Sequence, residues 1–354
     1  MRRFGKQEMS DVSLGAGLLG AGGGGAVSEG LKMVDRVLRF GDGVDLVTPE
    51  EVDDDAWGVV IAGMGSPVAA RKRPRTWSLT WACELLEETL GFEAAFIIPF
   101  ELGAGNSITP FLVGVQKNLP VVDGDPVGRA VPQIDMTTFH LGGIEITPLA
   151  LVNEDNISAV IRAEAAYDVE RVARAVSSEL GAVAAIACYS MLGRDMKRLI
   201  IPGTTALVEK IGAAIRETRE AGGDVASAVA EQRSGYILGK GTVSTVTSET
   251  RGGFDFGVVE VEGEMPIRVT LQNENMSAHR GDQLLAIVPD LICAVGGNGM
   301  PLSNAEIEEG IEITYVGFAA DPLFRTPEAF GLFSVTLDAA GYEGGFVPIE
   351  ELMG

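Results

Sequence analysis

The sequence predicts an α/β fold in two parts: an N-terminal α/β layered domain with parallel strands, then a C-terminal β-rich domain. Three observations predict it. Short apolar runs without alternation recur in the first half. Stretches with apolar residues at helical spacing lie between them. From about residue 236 the pattern changes to strand-like segments separated by glycine turns.

Taken in order, residues 11–19 fit a helix. Residues 28–40 fit another, with Leu31, Val34 and Leu38 on one face and Gly41 after it. Residues 58–63, 94–100 and 119–122 are the apolar runs, and buried parallel strands have this character. A helix fits at 76–90, with Leu79, Ala82, Leu86 and Leu90 in step and Gly91 as its stop. A second fits at 110–117, with Thr109 as N-cap and Pro110 in its first turn. Val169, Val172, Ala173, Val176, Leu180 and Val183 keep helical spacing, as do Leu207, Val208, Ile211 and Ile215 within 205–219. Glycine turns are expected at 251–253 and 262–264. Between 267 and 272 Ile267, Val269 and Leu271 alternate with polar residues, as in a half-buried strand. The pattern divides the chain at 235/236, with a helical segment at 169–235 closing the first part.

Composition excludes several classes. The net charge is −23, with 50 acidic residues against 27 basic ones, and the strongest basic cluster is Arg71-Lys72-Arg73-Pro74-Arg75. Binding to a phosphate backbone needs many such cations, so no nucleic-acid partner is expected. The apolar runs are too short for a membrane span. Cys83, Cys188 and Cys293 are few, distant and odd in number, which argues for a reducing compartment. The charged start lacks an apolar stretch behind it, so a cytoplasmic location is expected. With His140 and His279 as the only histidines, a multi-His zinc site is excluded and a Ser-His-Asp triad has little room.

The candidate chemistry lies at strand ends, because open parallel sheets bind ligands at their carboxyl edge. The loops after the three expected strands carry Gly63-Met64-Gly65-Ser66-Pro67, Glu101-Leu102-Gly103-Ala104-Gly105-Asn106-Ser107 and Asp123-Gly124-Asp125-Pro126-Val127-Gly128-Arg129. Parallel neighbours would bring Glu101, Asp123, Asp125, Asn106 and Arg129 onto one rim. Crowded carboxylates suit acid–base work, or could ligate a hard divalent cation. The plainer reading of Asp123 and Asp125 is turn chemistry. The run from Gly20 to Gly25 precedes a helix, but no Walker lysine follows and no strand clearly precedes, so it is not a nucleotide fingerprint. If the strand at 267–272 continues, Asn273 and Asn275 share its buried face and Glu274 points away. Two buried amides need partners, so the pair marks a network or a site. Asp321 and Arg325 sit in a two-proline loop that reads either as a lid or as a packed turn.

Several motifs together resemble one family. They are Gly17-Leu18-Leu19-Gly20-Ala21-Gly22-Gly23-Gly24-Gly25, Pro99-Phe100-Glu101-Leu102-Gly103-Ala104-Gly105-Asn106 and Val122-Asp123-Gly124-Asp125-Pro126-Val127-Gly128-Arg129-Ala130. Met136-Thr137-Thr138-Phe139, Pro202-Gly203-Thr204, Gln272-Asn273-Glu274-Asn275, Pro289-Asp290-Leu291-Ile292-Cys293 and Ala320-Asp321-Pro322-Leu323 follow in order. The chain resembles the S-methyl thiohydantoin desulfurase-like family along nearly its whole length. That resemblance implies a swivelling-type C-terminal domain, with the division near residue 168. It also implies carbon–sulfur cleavage on a five-membered imide ring, and an association with hydantoinase/oxoprolinase subunits.

Rim and resemblance together give the leading expectation, a hydrolase of S-methyl thiohydantoin or hydantoin. Asn106 and loop N–H groups would hold the ring carbonyl, Glu101 or Asp123 would activate water, and Arg129 would stabilise developing charge. Gly103, Gly105, Asp125, Thr137 and Thr138 are further candidates for substrate contact, as are Asn273, Asn275, Asp321 and Arg325. The competing expectations are a non-catalytic subunit of a hydantoinase/oxoprolinase-type ATPase, and a metal-dependent hydrolase using Asp123 and Asp125. The expected partners are a small-molecule substrate, such a subunit, and further copies of this chain.

Overall fold

The computed structural model describes residues 1–65, 77–181, 183–339 and 341–354. Ser66 and Pro67 of the first strand-end loop, the basic cluster 71–75 and Thr76 lie outside the described residues.

The first sheet forms where the sequence carries its uninterrupted apolar runs. Its strands are β1 (Arg2–Phe4), β2 (Val44–Val47), β3 (Trp57–Gly65), β4 (Phe96–Pro99) and β5 (Val121–Val122), then β7 (Leu149–Val152), β8 (Ser158–Ile161) and β9 (Val183–Leu192). The eight lie in the order β1-β2-β5-β4-β3-β9-β7-β8. The run β2-β5-β4-β3 is parallel and the flanking strands are antiparallel. Side chains alternate across it. Val59, Ile61 and Ile97 enter one core with the helices Ser78–Leu90 and Thr109–Lys117. Val60, Ala62 and Ile98 enter another with the helix Ala166–Glu179. Both faces are covered, which is why these strands show no polar alternation. A short β6 (Gly124–Asp125) pairs with β10 (Ile201–Pro202) beside the sheet.

The structure departs from the sequence pattern at β9. The helical spacing through Val183 ends at Glu179, and Val183–Leu192 is a strand between β3 and β7. Ala184, Ala185 and Ala187 have high helix propensity, and burial on both sides of a sheet overrides it. Cys188 is therefore a buried strand residue. All three cysteines are free and buried.

The second sheet is antiparallel, as its alternating pattern requires. It comprises β11 (Tyr236–Arg251), β12 (Phe254–Met265), β13 (Ile267–Gln272), β14 (Glu274–Arg280), β15 (Gln283–Ile287), β16 (Leu291–Gly296), β17 (Pro301–Leu302) and β18 (Glu312–Phe318). Their order is β15-β14-β13-β12-β11-β18-β16-β17. The hairpin between β11 and β12 turns at Gly252 and Gly253, both with positive φ. Gly263 instead lies inside β12. No helix among the described residues is long and apolar enough to cross a membrane.

One corner of this sheet decides where the site lies. Asn273 has φ +56° and reverses the chain, so that Gln272 pairs with Glu274. Asparagine is among the few residues that adopt this conformation readily. The expected continuation of the strand through Asn275 is therefore wrong, and Glu274 does not point away from the buried face. It points into the seam between the two sheets.

Candidate functional site

Glu101 stands two residues beyond β4, at the carboxyl edge of the parallel strands, and is 4% exposed. Its Oε1 accepts a hydrogen bond from Asn106 Nδ2 at 2.7 Å, and its Oε2 accepts from the Val131 N–H at 2.9 Å. Asn106 Oδ1 in turn accepts from the Gly63 N–H of β3 at 3.2 Å. Across a cavity of about 100 Å³ stands Glu274 of the second sheet, 3% exposed, its Oε2 unpartnered among the described residues. The ends of β3 and the segment 131–134 form further walls, and Glu29, Arg174 and Asn273 also line the space.

The two carboxyl groups differ in support. Burial pushes Glu101 up to about 7, against the lowering effect of its two N–H donors. Burial pushes Glu274 well above the carboxylate range, and the charge of Glu101 pushes it the same way, with Arg129 opposing. One proton on Glu274 relieves both problems, because two buried like charges cannot both ionise cheaply.

Glycine makes the cavity possible. The glycine run follows the helix Lys6–Leu19 rather than a strand, and its backbone interlocks with the Glu101 loop. Gly105 and Asn106 donate to the Gly24 carbonyl at 2.9 and 3.2 Å. A Cβ on Gly103 would lie 2.3 Å from the Gly24 Cα, and Gly24 itself has φ +69°. A Cβ on Gly23 would lie 2.0 Å from Glu274 Oε1. Gly103→Ala is therefore expected to force the two loops apart and cost about 1–3 kcal/mol of stability. An unchanged urea midpoint for that variant would contradict this packing.

The remaining expected site residues lie elsewhere. Asp123 does not face the cavity; its Oδ1 accepts from the Ala206 N–H at 3.0 Å, in the first turn of the helix Thr204–Glu220. Asp125 makes a turn, accepting from the Val127 and Gly128 N–H groups at 2.8 and 2.6 Å, and burial pushes it up to about 6. Arg129 is fully buried and bonds to four backbone carbonyls: Ala130 at 2.9 Å, Pro289 at 3.1 Å, Asp290 at 3.0 Å and Asn275 at 3.1 Å. It joins the two sheets and has no open side toward a ligand. A short β5 followed by an Asx turn carries all three residues past the rim and into packing.

Thr137 caps the turn Thr138–Leu141 and donates to the Tyr189 hydroxyl, which donates to the Ile134 carbonyl. Thr138 donates to the Pro126 and Leu199 carbonyls. Thr137 thus supports the cavity wall at Ile134 from behind, Thr138 packs away from it, and neither lines it. Asn275 donates to the Ile292 carbonyl and its N–H bonds to the Ala21 carbonyl, so it ties the glycine run to β14. Asp321 caps the turn Pro322–Phe324, and Arg325 binds Asp290 and Glu350, which makes that loop a packed turn rather than a lid. Of the expected residues, Glu101, Asn106, Gly105 and Asn273 line the cavity, with Gly103 packed directly behind it. Strict alternation through Asn273 turns Glu274 away from the site, so periodicity does not find it. The polar run Gln272-Asn273-Glu274-Asn275 was the available signal. Among the described residues, no three His, Cys, Asp or Glu side chains are grouped to hold a metal ion.

These features define a class: a two-domain α/β protein with a mixed sheet, an antiparallel sheet and a paired-acid cavity in the seam between them. The chain belongs to the S-Me-THD-like family. The family's N-terminal domain matches residues 7–163 and its C-terminal domain residues 164–349. β9, from the C-terminal portion, lies inside the first sheet. A crystal structure of a protein from Chromobacterium violaceum has the same fold, with a TM-score of 0.84 at 22% identity over 99% of this chain and 100% of that one. No curated protein matches the chain.

Proposed function

We propose that the protein is a hydrolase of a five-membered cyclic imide, cleaving the C–S bond of an S-methyl thiohydantoin with water activated by Glu101. The observation that carries this reading is the pair of buried carboxyl groups with unequal support. Glu101, with an N–H donor on each carboxyl oxygen, is the group to ionise; Glu274, whose Oε2 has no partner among the described residues, is the group to stay neutral. Environments that push two acids apart assign a base and an acid.

The water oxygen bonds to the carbon that carries sulfur, and its proton passes to Glu101. The C–S bond then breaks, and the departing methanethiolate takes the proton of Glu274. The ring keeps the oxygen as a carbonyl. Glu101 gives its proton to the ring nitrogen, and the hydroxyl proton of the adduct passes to Glu274 as the carbonyl forms, so both carboxyl groups return to their starting states. Asn106 spends its amide on Glu101 and Gly63, so it positions the base rather than binding the ring. The Gly24 and Gly25 N–H groups and Asn273 Nδ2, which make no hydrogen bond among the described residues, would meet the ring carbonyl.

The direct test is incubation of purified protein with S-methyl thiohydantoin, following methanethiol with a thiol reagent and the ring by chromatography. Stoichiometric release is expected. No release between about pH 5 and 9, alone or with a hydantoinase/oxoprolinase-type subunit, would overturn the reading. Release only with that subunit would favour the subunit role instead.

Glu274 gives a second, structural check. A raised folded-state value contributes stability that is complete below the ordinary carboxylate value and is lost as pH rises through the folded one. Glu274→Gln keeps the shape without the titration. Its melting temperature relative to the parent is expected to rise between about pH 5 and pH 8. No relative change over that interval would mean that Glu274 is already ionised in the native state.

A further inference from the structure

We propose that the groove next to the cavity binds an apolar, anionic arm of the substrate, so that the natural substrate is a ring carrying a large acidic substituent. This deepens the hydrolase reading and rests on it for the position of the ring. The groove has its own evidence.

The groove measures about 730 Å³ and runs between the helix Ala166–Glu179 and the tip of the β11–β12 hairpin. Ligand pockets of drug-sized molecules have such volumes. Gln133 and Arg174 border both the groove and the acid cavity, so the two spaces meet there. The cavity alone, at about 100 Å³, is far smaller than the groove beside it.

Its walls are apolar and exposed. Tyr167 and Val335 are 61% and 71% exposed, unusual for large apolar side chains in this molecule. Opposite them, the Phe254 and Phe256 rings lie 6.4 Å apart. The Arg174 guanidinium sits 4.0 Å from the Phe254 ring centre, and the Arg251 guanidinium 4.1 Å from that of Phe256. A flat apolar body fits such stacked walls.

The sign of the charge identifies the rest of the ligand. The chain carries a net charge of −23, yet three guanidinium groups border this groove against one carboxylate. That carboxylate, Glu170, is committed to Arg174 and the Ile134 N–H. Arg171 is paired with Asp168. Arg251 has no ion pair among the described residues. A free, stacked guanidinium beside an apolar trough recognises a carboxylate on an apolar stem.

Calorimetric titration of the intact protein tests this with 3-phenylpropanoate, its neutral amide, hydantoin and 5-benzylhydantoin. The carboxylate should bind at least about tenfold more tightly than its amide. Arg251→Ala, at an exposed position, should remove that preference, and Glu101→Gln should leave it intact. 5-Benzylhydantoin should bind more tightly than hydantoin, and Phe256→Ala should erase the difference. Equal binding of carboxylate and amide, or a preference that survives Arg251→Ala, would overturn the groove assignment whatever hydantoin does. If hydantoin fails to bind while the Arg251-dependent preference holds, the ring reading fails and the anion site stands.

Discussion

Glu101→Gln is expected to lower turnover of S-methyl thiohydantoin by roughly 10²–10⁴-fold, the usual contribution of a positioned general base. The amide has the shape of the carboxyl group but cannot take a proton from water. The wild-type rate should rise with pH through about 7, where Glu101 loses its proton, and the residual rate of the variant should lack that limb. The substitution also has a local cost. Glu101 accepts from two donors, Asn106 Nδ2 and the Val131 N–H, and an amide can accept from only one of them without turning its own N–H groups on the other. Removal of a buried ionisable group works in the opposite direction, so the melting temperature at pH 8 should change little. Full turnover by a folded Glu101→Gln protein would remove Glu101 from the chemistry.

Substitution of Arg129 is expected to have the largest effect on folding. Arg129→Lys and Arg129→Met should both lose roughly 3–5 kcal/mol, the scale seen when a buried charged network loses one member. Three of its four carbonyl partners, on Asn275, Pro289 and Asp290, belong to the second sheet and its approach. Lysine restores the charge but not the planar fork that reaches several carbonyls at once. Loss of the charge also removes the cation that opposes the upward push on Glu274. Soluble yield and the urea midpoint measure this, and a wild-type midpoint for Arg129→Lys would show that the sheets are held by other contacts.

The legible part of the molecule was the part governed by short-range pattern. Apolar runs gave β3, β4 and β5 in parallel, and the residues just past β4 supplied Glu101 and Asn106. The rest depended on tertiary decisions. Asp123 and Asp125 have the same composition as rim acids, but a helix start and an Asx turn claim their oxygens. Arg129 reads as a rim cation facing a ligand and ends among backbone carbonyls contributed by a segment about 150 residues away in sequence. β9 is rich in alanine, which favours helix until neighbours on both sides supply a ladder. Glu274 was hidden by one dihedral angle, since the sign of φ at Asn273 decides which way every later side chain faces.

The threading of β9 bears on how this chain tolerates dissection. A gene cut at the junction of residues 163 and 164 would strip an interior strand from the first sheet and leave β3 and β7 as raw, apolar ladders. Unpaired edges of that kind recruit other chains, so the fragment would precipitate rather than fold. The two halves match separate family domain models, yet they are physically sewn together.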